Sequence, residues 1–223
     1  MEKTFVCIAS GSSLCQEQID VLGKAKNTEN NNIKVIAVND NWQWKYKEKF
    51  ISDHLYAADT SWWSMYLSKI NKEEFYGYKW VPIKKDFAAK HGINFIECDH
   101  TKKGLDGTRK RTQNQKPKIN CGNHSGFQAI NLAYVLGAKR IILIGYDMGV
   151  FKETSKQLHW FGDHPKGLRN TSSRFEVWLR NYEKLADDLS KNSVEVFNCS
   201  KRSAIKEFPI VPEKLEDLLS KNS

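Results

Sequence analysis

Proline is scarce in this 223-residue chain, 5 residues against 13 glycines. That excludes a collagen-like repeat and a Pro-rich disordered chain. Cysteine is too irregular for a disulfide framework. Cys7, Cys15, Cys98, Cys121 and Cys199 are odd in number, and no two stand in C-x-x-C spacing. The same spacing argues against a zinc ribbon, so no metal ligand set is read from the sequence. Long apolar runs are missing too. None approaches the roughly 20 residues of a membrane span. The start, Met1-Glu2-Lys3-Thr4 and then about five apolar residues, is no signal-peptide core. These absences predict a soluble, cytoplasmic protein without a membrane span.

Acidic residues are fewer than basic ones, 26 against 35, for a formal charge of +9. Such an excess predicts an anionic partner (nucleotide, nucleic acid or acidic surface) or serves solubility. It is strongly local. Thr101–Lys118 carries Lys102, Lys103, Arg109, Lys110, Arg111, Lys116 and Lys118 against Asp106 alone, a net +6. With almost no apolar residue, this segment reads as a mobile basic loop, 101–118, and as the candidate nucleic-acid contact.

What is present is a strand–helix alternation. Thr4–Ala9 reads as a buried strand, Gln16–Lys26 as a helix, and Ile33–Val38 as a second strand. A short strand is expected near His54–Ala58, then a helix opened by Asp59 or Thr60. Lys79–Val81 and Asn94–Glu97 suit further short strands. Phe127–Leu136 is a strongly apolar helix closed by Gly137. Arg140–Gly145 has the run Ile141-Ile142-Leu143-Ile144, the mark of a strand buried on both faces. A long loop, 150–172, precedes an amphipathic helix from Phe175 to Leu189. A strand at Val194–Asn198 and a helix after Pro212 complete the chain. The pattern predicts one α/β domain over 1–223, with a mainly parallel sheet and helices on both faces.

Ligands of such sheets sit beyond the carboxyl ends of the strands. Four polar segments fall there. Gly11-Ser12-Ser13 suits a phosphate at a helix N-terminus or an ordinary capping turn. Asn39 offers a donor and an acceptor to a base or ribose, and equally suits a turn. Asn123-His124-Ser125-Gly126 opens the apolar helix, with Asn123 or Ser125 as N-cap, a phosphate compatible with the same terminus, and His124 as an exposed loop histidine rather than a catalytic one. Tyr146-Asp147 ends the central strand, where Asp147 can hold a metal or a hydroxyl or cap a turn. The loop His159-Trp160-Phe161-Gly162-Asp163-His164 is dense in aromatic and titratable groups, which points to function. A histidine here suits a general base, while H-x-x-x-D-H matches no standard zinc spacing. Trp62-Trp63 stacks a base or sugar, or packs in the core.

In order and spacing these segments resemble two related Rossmann-like families over roughly residues 4–210. Gly11-Ser12-Ser13-Leu14 resembles the G-x-G-P-S-L loop of bacterial CMP-sugar sialyltransferases and of the MptE-like family. The latter includes 6-hydroxymethylpterin diphosphokinases and flagellin-modification factors. Ser125-Gly126 and Leu143-Ile144-Gly145-Tyr146-Asp147 resemble their S/T-S-G helix and their strand ending G-x-D. The whole order also looks like a group of uncharacterised bacteriophage proteins. Ser12 replaces the family proline, and no tyrosine lies between Met148 and His164.

The resemblance implies a single Rossmann-like domain and a transferase. Asn39, Ser125 and Gly126 would contact the nucleotide, and His164, or else His159, would be the general base. Gly11, Ser12, Ser13, Asp59, Asn123 and Tyr146 complete the expected binding set, with Asp147 in a catalytic position. The leading expectation is a glycosyltransferase that uses a nucleotide-sugar donor and no required cofactor, acting on a phage or nucleic-acid-linked acceptor. An MptE-type pyrophosphokinase with Mg²⁺ held by Asp147 and Asp59 is one alternative. A non-enzymatic nucleic-acid binder is the other.

Overall fold

The structure, a computed structural model, describes residues 3–28, 31–101, 104–105, 118–151, 158–165, 168 and 174–220. Seven parallel strands form its central sheet. In chain order these strands are β1 (Thr4–Ile8), β2 (Ile33–Val38), β5 (His54–Tyr56), β6 (Tyr78–Val81), β7 (Asn94–Phe95), β10 (Arg140–Ile144) and β11 (Glu195–Asn198). Across the sheet the order is β11-β10-β1-β2-β5-β6-β7. The chain builds outward from β1 to β7, then returns to the other side of β1. The topological switch therefore lies between β1 and β10, which pair in parallel from Thr4↔Arg140 to Ile8↔Ile144.

Helices cover both faces, as the strand alternation dictates. Phe5, Cys7, Ile141 and Leu143 point to one side, against α4 (Ser125–Val135) and α5 (Phe175–Lys191). Val6, Ile8, Ile142 and Ile144 point to the other, against α1 (Gln16–Lys26) and α6 (Leu215–Ser220). On that second side, α2 (Thr60–Lys72) and α3 (Lys85–Lys90) cover the β5–β6 end, with Trp62, Trp63 and Phe75 packed on Leu55 and Ala57. Both tryptophans are buried, so the core role holds for each of them. This is the Rossmann-like α/β architecture that the sequence predicts. Cys7 is an inert core thiol, as read, and burial pushes its pKa up to about 12.

Several features escape sequence periodicity. Asn39–Gln43 forms a 3-10 turn, followed by the hairpin of β3 (Lys45–Tyr46) and β4 (Lys49–Phe50). β8 (Glu97–Asp99) and β9 (Lys118–Asn120) form a separate parallel pair. They bracket the basic segment. Of its seven cations only Lys118 lies among the described residues, ion-paired with Glu97. Lys102, Lys103, Arg109, Lys110, Arg111 and Lys116 lie outside them. The segment is not a loop throughout, because Lys118 belongs to β9. Leu105 is buried, its N–H donates to Asp188 on α5 (3.0 Å), and Asn120 Nδ2 donates to the Gly104 carbonyl (3.0 Å).

Candidate functional site

A cleft of about 660 Å³ opens beyond the carboxyl ends of β1, β2, β5 and β10. That volume suits a nucleotide-sized ligand. Gly11, Asn39, Asp59, Asn123, Ser125, Gly126, Tyr146, Asp147, His159 and His164 all line it. Ten of the twelve sequence-derived site residues thus share one cavity, although they come from segments more than 150 positions apart.

Ser12 and Ser13 are the two outside the lining, and their hydroxyls explain why. Ser13 N–H donates to Asp147 Oδ2 at 2.8 Å, Ser13 Oγ donates to Asp147 Oδ1, and Ser12 Oγ donates to Oδ2 at 3.3 Å. The β1 loop is therefore clamped onto the end of β10. Asp147 is 3% exposed. Burial pushes its pKa up, and the serine hydrogen bonds and Arg202 oppose that rise. Gly11 permits the clamp: a Cβ there would overlap the Asp147 carboxylate and lie 2.6 Å from the Gly145 carbonyl. Gly145 has φ +70° and packs so closely on the Ala9 carbonyl that no Cβ fits.

The late loop closes over this junction. His159 bridges Gly11, and Trp160 N–H donates to the Ser10 carbonyl at 3.2 Å. Trp160 Nε1 donates to Asn41 Oδ1 (2.8 Å), while Asn41 Nδ2 donates to Ser10 Oγ (2.9 Å). The Trp160 ring also lies 4.6 Å from that of Trp44. Asn41, which sequence reasoning passed over for Asn39, is the residue that fixes this corner. Asn39 stays on the cleft wall with φ +53°, and Asn123 (φ +67°) and Met148 (φ +47°) share that left-handed geometry on the same wall. Such strained non-glycine residues tend to gather at functional sites.

His159 and His164 stand side by side, ring centroids 4.6 Å apart, with Phe161 stacked on His159 at 5.1 Å. His159 Nε2 and His164 Nδ1 are shielded and take no hydrogen bond among the described residues. Burial, joined by repulsion from His164, lowers the His159 pKa to about 4. Burial lowers that of His164 as well, against the pull of Asp40 and Asp163. Both rings are therefore held toward the neutral form.

His124 is not an exposed loop histidine, and neither Asn123 nor Ser125 caps α4. His124 is itself the N-cap, with Nδ1 accepting from Phe127 N–H at 3.3 Å. Since Nδ1 accepts, the neutral ring carries its proton on Nε2, which meets Tyr182 Oη at 3.2 Å. Trp178 stacks on the ring at 5.1 Å, and burial lowers its pKa to about 3. The Ser125 and Gly126 amides take no acceptor among the described residues. Both residues line the cleft at the start of the helix, a position whose free N–H groups suit an anion. Ser125 Oγ accepts from Ala58 N–H (3.3 Å), and Tyr146 Oη donates to the Gly126 carbonyl (3.1 Å). Tyr146 is thus a buried floor residue. Asp59 precedes α2 as its N-cap without a side-chain cap bond, and it is exposed.

Sequence reasoning missed His100, Cys121, Arg174 and Trp178, which also line the cleft. Arg174 precedes α5 as its N-cap residue and is an exposed cation at the rim. Cys121 lies beside Cys98. The Cys98 thiol pulls the Cys121 pKa down, and the same contact pushes the Cys98 pKa up.

No protein-family model matches the chain, and no curated protein matches it. No helix among the described residues is long and apolar enough to cross a membrane.

Proposed function

We propose that the protein is a nucleotide-sugar-dependent glycosyltransferase, similar in layout to the bacterial CMP-sugar sialyltransferases. The observation that carries this reading is the His159–His164 pair, which lines the same cleft as the helix start at Ser125-Gly126 and has two ring nitrogens without a hydrogen-bond partner among the described residues. A buried polar atom without a partner costs about 1–3 kcal/mol, and a ligand or water that reaches it recovers that cost.

In this reading the Ser125 and Gly126 amides hold the donor's phosphate, with Arg174 adding positive charge. Asn39 and Asn123 flank the nucleoside. Neutral His164 takes the proton of an acceptor hydroxyl. The acceptor oxygen bonds to the anomeric carbon as the bond from that carbon to the phosphate oxygen breaks, and its electron pair leaves on the phosphate. The neutral ring can accept a proton, and Asp40 and Asp163 oppose the loss of basicity that burial imposes. The pyrophosphokinase reading would need Asp147 as a Mg²⁺ ligand, yet its carboxylate is already engaged by Ser12 and Ser13.

The test is thermal shift with CMP, UDP, ATP and their sugars, then turnover of any sugar that binds. A ligand at 100 times its Kd stabilises by about 2.7 kcal/mol. His164→Ala is expected to keep nucleotide binding and lose about 10²- to 10⁴-fold in turnover. Absence of binding by every nucleotide and nucleotide sugar refutes the reading.

A further inference from the structure

Two thiols and an imidazole meet at the cleft wall. Cys98 lies on β8, and His100 stands at the bend that directly follows the strand. Cys98 pairs with Ile119 and Asp99 with Asn120, and Cys121 N–H donates to the Asp99 carbonyl at 3.0 Å. Continuing that register sets Cys121 beside His100. One donor atom from each of Cys98, His100 and Cys121 lies within 4.8 Å of the others. Tetrahedral zinc places such donors about 3.5–3.8 Å apart, given Zn–S near 2.3 Å and Zn–N near 2.0–2.1 Å.

The surroundings suit a cation. Gln128 Nε2 donates to Cys121 Sγ at 3.4 Å and to the Cys121 carbonyl at 2.8 Å. Its Oε1 accepts from Tyr56 Oη at 2.6 Å. A donor chain of this kind orients a metal-bound thiolate. His100 is exposed, which leaves an entry path.

We infer that Cys98, His100 and Cys121 bind a single soft divalent ion, Zn²⁺ by chemistry, with a fourth position open to the cleft. The donor set disfavours Mg²⁺ and Ca²⁺, which take oxygen ligands. His100 and Cys121 line the cleft, so the open position faces it. The site stands whether or not the cleft's ligand is a nucleotide sugar, because its test uses neither.

Reduced, chelator-treated full-length protein is titrated with Co²⁺. One equivalent is expected to produce thiolate-to-cobalt absorption and the intense visible bands of tetrahedral Co²⁺, both erased by Zn²⁺. Cys98→Ser and Cys121→Ser are each expected to abolish the thiolate band, while Cys15→Ser leaves it intact. Gln128→Leu is expected to weaken binding about 10- to 100-fold through loss of thiolate orientation. Azide is expected to shift the visible bands by taking the open position, and unchanged bands overturn that position. Absence of any band in the wild-type protein, which needs no variant to fold, overturns the site. So does a thiolate band that survives in the Cys98→Ser/Cys121→Ser double variant.

Discussion

Acid should act on His124 through a proton that only the unfolded chain accepts readily. In the folded protein Nδ1 accepts the Phe127 N–H and the ring is wedged among Phe127, Trp178 and Tyr182, so its pKa falls from 6.5 to about 3. A histidine with a lowered folded pKa supplies stability that is present above its unfolded value and is lost as pH falls below it. Between those two values the unfolded state holds one more proton than the folded state. At pH 5 the unfolded His124 is protonated and the folded one is not. Each pH unit below 6.5 is worth about 1.36 kcal/mol, so the loss between pH 7 and pH 5 is about 2 kcal/mol from this residue. His124→Asn keeps an N-cap acceptor and removes the titration. Its absolute stability falls because the ring contacts go, so the diagnostic quantity is the slope with pH. Urea unfolding at pH 7 and pH 5 should show the wild type losing about 2 kcal/mol more than the variant. In melting temperature that difference is about 4–8 °C for a chain of this size. His54 and His159, whose pKa values burial also lowers to about 4, titrate in both proteins and cancel. Parallel losses in the two proteins would refute the neutral-cap reasoning.

Three further outcomes follow from the clamp at the switch point. Gly11→Ala places a Cβ against Asp147 and the Gly145 carbonyl, and should cost about 1–3 kcal/mol in urea unfolding. Asp147→Ala leaves the buried Ser13 N–H without its acceptor. A loss of about 1–3 kcal/mol is expected in the same assay, and a neutral effect would show that Asp147 does not hold the loop. Trp160→Phe removes the donor to Asn41 Oδ1. Faster hydrogen exchange at the residue 160 amide, which donates to Ser10, should follow, and unchanged protection would mean that the indole N–H does not pin the loop.

The helices and the main strands were readable in the sequence because their signal is periodic and local. Gln16–Lys26 and the Ile141–Ile144 run needed no distant partner to be recognised. The strand-end positions of Gly11, Asn39 and Asp147 were readable too, since a parallel sheet gathers such ends at one edge, whereas Ser125 reaches the same cleft from β9, outside that sheet. What each of them does there was not. Ser13 looked like a phosphate contact, and only the three-dimensional approach of β1 to β10 aims its hydroxyl at Asp147. His124 looked exposed because its neighbours are polar, whereas Trp178 and Tyr182, more than 50 positions away, enclose its ring.

The five cysteines show the same division. Their odd number and spacing determined that no local zinc motif exists, and that conclusion concerns contiguous sequence only. The short parallel pair β8–β9 brings Cys121 across to Cys98 and His100 over more than 20 residues. The sequence by itself determined the alternating elements, the buried parallel sheet and the edge where a ligand sits, because these follow from hydrophobic period and chain direction. Only the tertiary structure decided which polar side chains hold one another and which remain unpartnered in the cleft. That depends on distances between segments remote in sequence, and no local pattern records them.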